Sequence, residues 1–321
     1  MGKVLVTGAN GYLATQVIAA LLRQGRDVRG TVRSLDSEAS VRQALGRGGV
    51  DDSGLELVRA DLTTDDGWPI ALAGVEEVHH VASPIPPAQP EDPNELIVPA
   101  REGTIRVLRS ACDAGVRRVV LTSSFAAVGY SPKTVRDFTE ADWTDPDSPG
   151  LPPYPRSKAI AERAAWDYVE QHGGDTELVV LNPTFIIGPS LVTSLRSSLV
   201  AIKAIAEGTM LALPRQRFGV ADVRDVAEAH LKAASTGAAA SKRYLLLADG
   251  PTITWLSLAE VIRDHLGASG HRVTLQEVPG EEPMPLVIHN DRAKEELDWQ
   301  PRPVQTTITD TLDSLRELQL L

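Results

Sequence analysis

The 321 residues carry a formal charge of -11, with 42% apolar and 23% charged side chains, the composition of a folded globular chain rather than a disordered or fibrous one. The negative field repels nucleic-acid backbones, so any anionic ligand needs a local cation. The single cysteine, Cys112, excludes an intramolecular disulfide and a cysteine-rich metal site, and the apolar runs fall short of the roughly 20 residues that span a bilayer.

The opening residues run straight into an apolar strand, Val4 to Thr7, without the basic-then-apolar pattern of a secretion signal, so a cytoplasmic location is expected. A helical period from Thr15 to Gln24 follows, then strands at Asp27 to Val32 and Glu76 to Val81. The proline-rich stretch Ser83 to Pro99 reads as a loop over the sheet edge. Beyond it come a helix from Gly103 to Ala114, a strand from Arg118 to Thr122, a helix from Tyr154 to Gln171 and a strand from Glu177 to Leu181. Strands this apolar, alternating with helices, predict an α/β fold built on a doubly wound parallel sheet of the Rossmann type. Its ligand lies at the carboxyl ends of the strands. After Asn182 the rhythm breaks at Pro183, Gly188 and Pro189. The reading is therefore a dinucleotide-binding domain over 1–182 and a smaller C-terminal substrate lobe over 183–321. Within the lobe, 219–249 returns to the sheet through a helix at Val220 to Ala234 and a strand at Tyr244 to Ala248.

The run Thr7-Gly8-Ala9-Asn10-Gly11-Tyr12-Leu13-Ala14 joins the first strand to the first helix. Backbone N–H groups at such a helix start can meet a pyrophosphate, and glycines permit its close approach. Thr7, Gly8, Asn10, Gly11, Tyr12 and Leu13 are the expected contacts. The end of the second strand, Thr31-Val32-Arg33-Ser34, decides the cofactor, because a carboxylate there suits a ribose 2′-hydroxyl and a cation suits a 2′-phosphate. Arg33 offers a guanidinium fork, so NADPH/NADP+ is expected, with Ser34 able to add a hydroxyl and Asp36 close enough to compete. Asp61 can accept from an adenine amino group with Leu62 packed on the ring, or serve only as a helix cap.

The strand Arg118 to Thr122 ends in Ser123 and Ser124, and Tyr154 precedes Lys158 by four positions on one helical face. A tyrosine moves protons poorly at neutral pH unless an ammonium stabilises its phenolate. Lys158 supplies that ammonium. The Ser124 hydroxyl can polarise a substrate carbonyl while the phenol protonates its oxygen. His79 and His80 have no partner at metal-ligand spacing and read as packing residues, and no metal site is expected.

These motifs, with Asp61-Leu62, His80-Val81-Ala82-Ser83-Pro84, Thr122-Ser123-Ser124 and Asn182-Pro183-Thr184 to Gly188-Pro189, resemble an extended short-chain dehydrogenase/reductase along nearly the whole chain. The likeness is to the branch of dihydroflavonol reductases, cinnamoyl-CoA reductases and yeast-type aldehyde and methylglyoxal reductases. It implies NADPH and carbonyl reduction on a small-molecule substrate, with Ser124, Tyr154 and Lys158 catalytic. It further implies that Lys158 binds the nicotinamide ribose, that Tyr154 is also a cofactor contact, and that Ser123 meets the cofactor through its backbone. Val81, Ala82 and Ser83 would line the dinucleotide, and Pro183, Thr184 and Ser198 would approach the nicotinamide or substrate. Arg106 departs from the family, which has an asparagine there for a proton relay. The run Phe125 to Tyr130, a pocket wall in the family, is apolar apart from Tyr130 and implies an apolar or aromatic carbonyl. The helices at Gly103 to Ala114 and Tyr154 to Gln171 allow a homodimer, with a monomer as the alternative.

Two other functions fit parts of the pattern. A nucleotide-sugar epimerase or dehydratase retains NAD and needs cations for a diphosphate in the second lobe, where Arg196, Lys203, Arg215, Arg217 and Arg224 are available. A non-enzymatic dinucleotide-binding redox sensor has no need of the three catalytic residues.

Overall fold

The structure is a computed structural model that describes residues 2–84, 92–196 and 198–321. A seven-stranded sheet forms its centre, running from edge to edge as Arg243–Leu246, Glu177–Pro183, Arg118–Thr122, Val75–His80, Lys3–Val6, Val28–Val32 and Leu55–Arg59. Every pairing in it is parallel.

Side chains alternate across this sheet, so each strand feeds two cores. Val4, Val6, Val120, Val179 and Leu181 face one layer, with the helices Tyr12–Arg23, Glu38–Arg47 and Val223–Ser235. Leu5, Val78, Val119, Leu121, Leu178 and Val180 face the other, with Asn94–Asp113 and Pro153–His172. Burial on both sides is why Lys3–Val6, Arg118–Thr122 and Glu177–Pro183 are predominantly apolar, as the doubly wound reading requires, whereas Val75–His80 buries Glu77, His79 and His80 as hydrogen-bonded groups.

Within 219–249, the strand Arg243–Leu246 lies in the central sheet and Val220–Asp222 in a separate two-stranded one. Val220–Asp222 pairs with Phe185–Ile187, and the Asp222 carboxylate accepts from the Arg224 N–H at 2.8 Å to start the helix Val223–Ser235. The chain then adds Arg243–Leu246 beside Glu177–Pro183. A separate cluster, with Ile202, Ile205, Leu258, Ile262, Ile308 and Leu312, unites the helices Ser198–Ala206, Trp255–Leu266 and Val304–Glu317.

One expectation is corrected. The stretch Ser83 to Pro99 is not a loop to its end, because the helix expected at Gly103 begins at Asn94 and carries Pro99 inside it. Proline forfeits one backbone hydrogen bond. The buried positions Leu96, Ala100, Gly103, Thr104, Val107, Leu108 and Ala111 recur every three to four residues and outweigh that loss. Residues 85–91 of that stretch lie outside the described residues.

Strand order reverses between Lys3–Val6 and Val75–His80, since the chain builds outward on one side of the first strand and then returns to its other side. A crevice opens at the carboxyl ends of such a pair. Among the described residues no helix is long and apolar enough to cross a membrane.

Candidate active site

At the switch point the Thr7 hydroxyl accepts hydrogen bonds from Val81 N–H at 3.0 Å and Ala82 N–H at 2.9 Å, clamping the two strand ends together. Gly8 follows in the left-handed region at φ +72, and a Cβ there would stand 3.0 Å from the Ala82 Cβ. Glycine is thus required for backbone geometry and for the narrow approach. Its N–H is held by the Thr31 hydroxyl at 3.0 Å. The helix Tyr12–Arg23 then starts at Gly11 with no side-chain cap. Among the described residues no side chain caps its first N–H groups, the arrangement in which an anionic pyrophosphate is stabilised.

One strand further out, Arg33 is exposed and, among the described residues, makes no hydrogen bond or ion pair. Asp36 is restrained, because the Ser34 hydroxyl donates to its carboxylate at 2.7 Å. Asp61 accepts from the Thr63 N–H and hydroxyl, both at 2.8 Å. Partial burial opposes ionisation of Asp61, but those bonds and the charges of Arg33 and Arg106 hold its carboxyl below the usual range. Leu62 packs over Gly103, where a Cβ would come within 3.0 Å of the Leu62 Cβ. Arg106 donates to Asp65 at 2.5 Å and to the Leu62 carbonyl, so the arginine that departs from the family pattern anchors this loop.

Ser124 sits in extended backbone and caps the short turn Phe125–Ala127, accepting from Ala126 N–H at 3.1 Å. Tyr154 and Lys158 lie in the first turns of Pro153–His172, whose start is set by Pro152 and Pro153. Tyr154 is 39% exposed. Protein packed about its phenol raises its pKa, and the nearby Ser124 hydroxyl acts in the opposite direction. Lys158, only 9% exposed, reaches Ser83 Oγ at 3.2 Å and lies 5.9 Å from the centre of the Tyr154 ring. Burial pushes its ammonium down to about 8, with Glu162 pulling it up.

Residues 4–246 match the model of the NAD dependent epimerase/dehydratase family. The chain belongs to this family. It is an extended short-chain dehydrogenase/reductase of the reductase branch. It is 32% identical to a cinnamoyl-CoA reductase of Medicago truncatula over 98% of this chain and 95% of that one. Cinnamoyl-CoA reductase 1 of Petunia hybrida is 37% identical over 75% of this chain and 71% of its own length. Among solved structures, the yeast methylglyoxal/isovaleraldehyde reductase Gre2 complexed with NADPH superimposes with a TM-score of 0.84 at 25% identity, covering 99% of this chain and 100% of that one.

The remaining expected residues of this short-chain dehydrogenase/reductase do not all face the crevice with free polar groups. Tyr12 gives its hydroxyl to the Gly188 carbonyl at 2.7 Å, and Ser198 gives its own to the Ile186 carbonyl. Ser123 spends its N–H on Leu181 and its hydroxyl on Glu162 at 2.5 Å, which leaves its carbonyl for a ligand. Thr184 is held by Leu246 through its N–H at 3.0 Å, and Pro183 closes the strand before it. Asn10 is exposed on the turn and Leu13 is buried in the core beneath it. His80 bonds Thr7 at 2.9 Å and His79 bonds Glu77 at 2.7 Å, both buried as packing groups.

The pocket wall expected at Phe125 to Tyr130 needs correction. Phe125 and Val128 are buried against Phe138, Leu245 and Leu286, and Ala126 and Ala127 are buried too. The apolar character of the run serves the core, and only Tyr130, 50% exposed, turns outward. The residues that sequence reasoning passed over are Glu162 and Arg243, whose side chains meet that of Asn182, read only as part of a motif, behind Ser123. The signal for Glu162 was its place four residues beyond Lys158, on the same helical face.

Proposed function

We propose that the protein reduces aldehydes or ketones to alcohols, reversibly, with Ser124, Tyr154 and Lys158 as its catalytic residues and NADPH as reductant. The observation that carries this reading is a buried Lys158 standing 5.9 Å from the centre of the Tyr154 ring, on a helix packed against the turn that Ser124 caps at the carboxyl edge of the sheet. The chain is an oxidoreductase of carbonyl groups, and its cofactor is NADP(H). Its residues fit that cofactor: the uncapped helix start at Gly11 and the Gly8 approach suit a pyrophosphate, and the exposed Arg33, without a partner among the described residues, suits a 2′-phosphate.

NADPH, when bound, supplies the hydride. The chain does the rest. Ser124 orients the carbonyl oxygen by donating to it, and Tyr154 transfers its phenolic proton to that oxygen. Lys158 stabilises the phenolate left on Tyr154 and, with Ser83 beside it, is placed to hold the ribose. The residues 1–182 with 219–249 form the dinucleotide-binding part, and the rest of 183–321 covers the substrate. The substrate is an apolar or aromatic carbonyl. That reading is supported by the outward ring of Tyr130 beside Tyr154 and by relatives named for cinnamoyl-CoA and isovaleraldehyde.

The sugar-nucleotide alternative is disfavoured by the second lobe, where four of its five candidate cations, all but the exposed Arg196, are already engaged. Arg215 pairs with Glu277 and Glu282, Arg224 with Asp222 and Asp310, and Lys203 with Glu207, while Arg217 donates to the Thr252 carbonyl. The half-buried Cys112 thiol suits a reducing cytoplasm. A panel of aldehydes, α-keto esters, diketones and aryl ketones, assayed with NADPH and with NADH, tests the reading. NADPH-dependent reduction of apolar members is expected; an inert panel, or tightly retained NAD with sugar-nucleotide turnover, would overturn it.

A further inference from the structure

Glu162 is 1% exposed, yet its carboxylate is fully engaged. One oxygen accepts from the Ser123 hydroxyl at 2.5 Å and from the Asn182 amide at 2.7 Å. The other accepts from Arg243 Nε at 2.5 Å and from Trp166 Nε1 at 3.4 Å. A buried carboxylate is costly unless it is paired and hydrogen-bonded in this way.

The partners give the network its direction. Ser123 adjoins Ser124, and the Asn182 amide that binds Glu162 also donates to the Ser124 carbonyl at 3.2 Å. Glu162 itself lies four residues beyond Lys158 on Pro153–His172, the helix that also carries Tyr154. Arg243 is fixed from its far side, donating to the Glu140 and Asp142 carbonyls, both at 2.9 Å, with its guanidinium 3.7 Å from the centre of the Trp143 ring.

We propose that Glu162 is the positioning residue of this site: one carboxylate ties the strand end bearing Ser124 to the helix bearing Tyr154 and Lys158, and sets a negative charge one turn behind the Lys158 ammonium. The inference rests on the catalytic roles proposed above. Among the described residues, the groups that face Lys158 are the Ser83 hydroxyl, the Tyr154 ring, Glu162 and the buried His80, which burial keeps neutral by lowering its pKa to about 3. Glu162 is the anion among them, and it supports the ammonium that burial opposes. A catalytic group displaced by a fraction of its own width loses rate steeply, so holding all three residues from one atom group has a kinetic consequence.

The test compares Glu162→Gln, Ser123→Ala and Asn182→Ala with the unaltered enzyme. Glu162→Gln should lower kcat by about ten- to a hundredfold and move the alkaline limb of the pH–rate profile down by about one pH unit, because Lys158 loses its supporting charge. Ser123→Ala and Asn182→Ala, which keep that charge, should lower kcat without moving the limb. The shift is also read without cofactor or substrate. In the apo chain the urea midpoint begins to rise at the pH where folded Lys158 releases a proton that the unfolded chain still holds, and that onset should come earlier in Glu162→Gln. A folded Glu162→Gln variant with an unmoved limb and unmoved onset overturns the proposal. If Glu162→Gln does not fold, unchanged kcat in both Ser123→Ala and Asn182→Ala overturns it. Should Tyr154→Phe prove active, the proposed mechanism fails instead, and that outcome is distinct from either of these.

Discussion

The two ends of the crevice are built on different principles. Around Arg33 and Asp61 the polar groups are exposed or partly exposed, and most partners are near in sequence: Ser34 with Asp36, and Asp61 with Thr63. Around Ser124, Tyr154 and Lys158 the supporting groups are buried and their partners distant, as with Lys158 and Ser83 or Glu162 and Arg243. An exposed recognition group can be exchanged at the cost of its own contact, whereas a buried one carries the desolvation of everything it neutralises. The open end is therefore where cofactor preference can be altered by single substitutions. At the closed end function and stability oppose each other.

Lys158→Met should break the comparison most sharply. Carbonyl reduction should fall by about a hundred- to ten-thousandfold, while the protein becomes more stable. Holding Lys158 near 8 against about 10.4 in the unfolded chain costs about 3 kcal/mol at neutral pH. That penalty is present below pH 8 and relieved as pH rises toward the unfolded value, so the gain from Lys158→Met should shrink in alkaline solution. Thermal unfolding of both proteins from pH 7 to 10 checks it. The same ionisation makes the reduction rate of the unaltered enzyme decline above about pH 8, as read from kcat/KM.

Ser124→Ala comes next, with a loss of about a hundred- to a thousandfold in kcat, as for removal of one donor to a reacting oxygen. At the open end, Arg33→Gln should raise the KM for NADPH by about ten- to a hundredfold, the worth of a charged hydrogen bond to phosphate. It should leave NADH use and thermal stability unchanged, and an equal effect on both cofactors would refute the assignment of Arg33. The smallest effect concerns acid. His80 and His230 are held neutral by burial, with His80 at about 3 and His230 well below its ordinary value. Unfolded histidines take up protons near pH 6.5 that the folded ones refuse, so stability should fall with pH below that point by roughly 1.4 kcal/mol per pH unit for each. Urea titrations at pH 7, 6 and 5 measure the slope.

Legibility in the sequence follows the same division. The glycine turn, Arg33 after its strand and the Tyr154–Lys158 spacing are local patterns, and six of the seven parallel strands are legible as short runs rich in apolar residues, whereas the edge strand Leu55–Arg59, with Glu56 and Arg59 exposed, is not. The helix start at Asn94 was hidden by Pro99, because local proline chemistry is weaker than a buried stripe that only the folded partner reveals. Phe125 to Val128 read equally well as pocket wall or core, since apolarity alone does not say which way a side chain turns. The meeting of Glu162, Asn182 and Arg243 depends on three elements far apart in the chain and leaves no periodic trace.

The claim beneath all of this is that Tyr154 is the proton donor to a carbonyl reduced by NADPH. Tyr154→Phe, assayed for carbonyl reduction beside a direct NADPH binding titration, tests it most directly. The account predicts a loss of at least about a hundredfold in kcat with NADPH still bound. A Tyr154→Phe enzyme that binds NADPH and reduces its substrates at the original rate would contradict it.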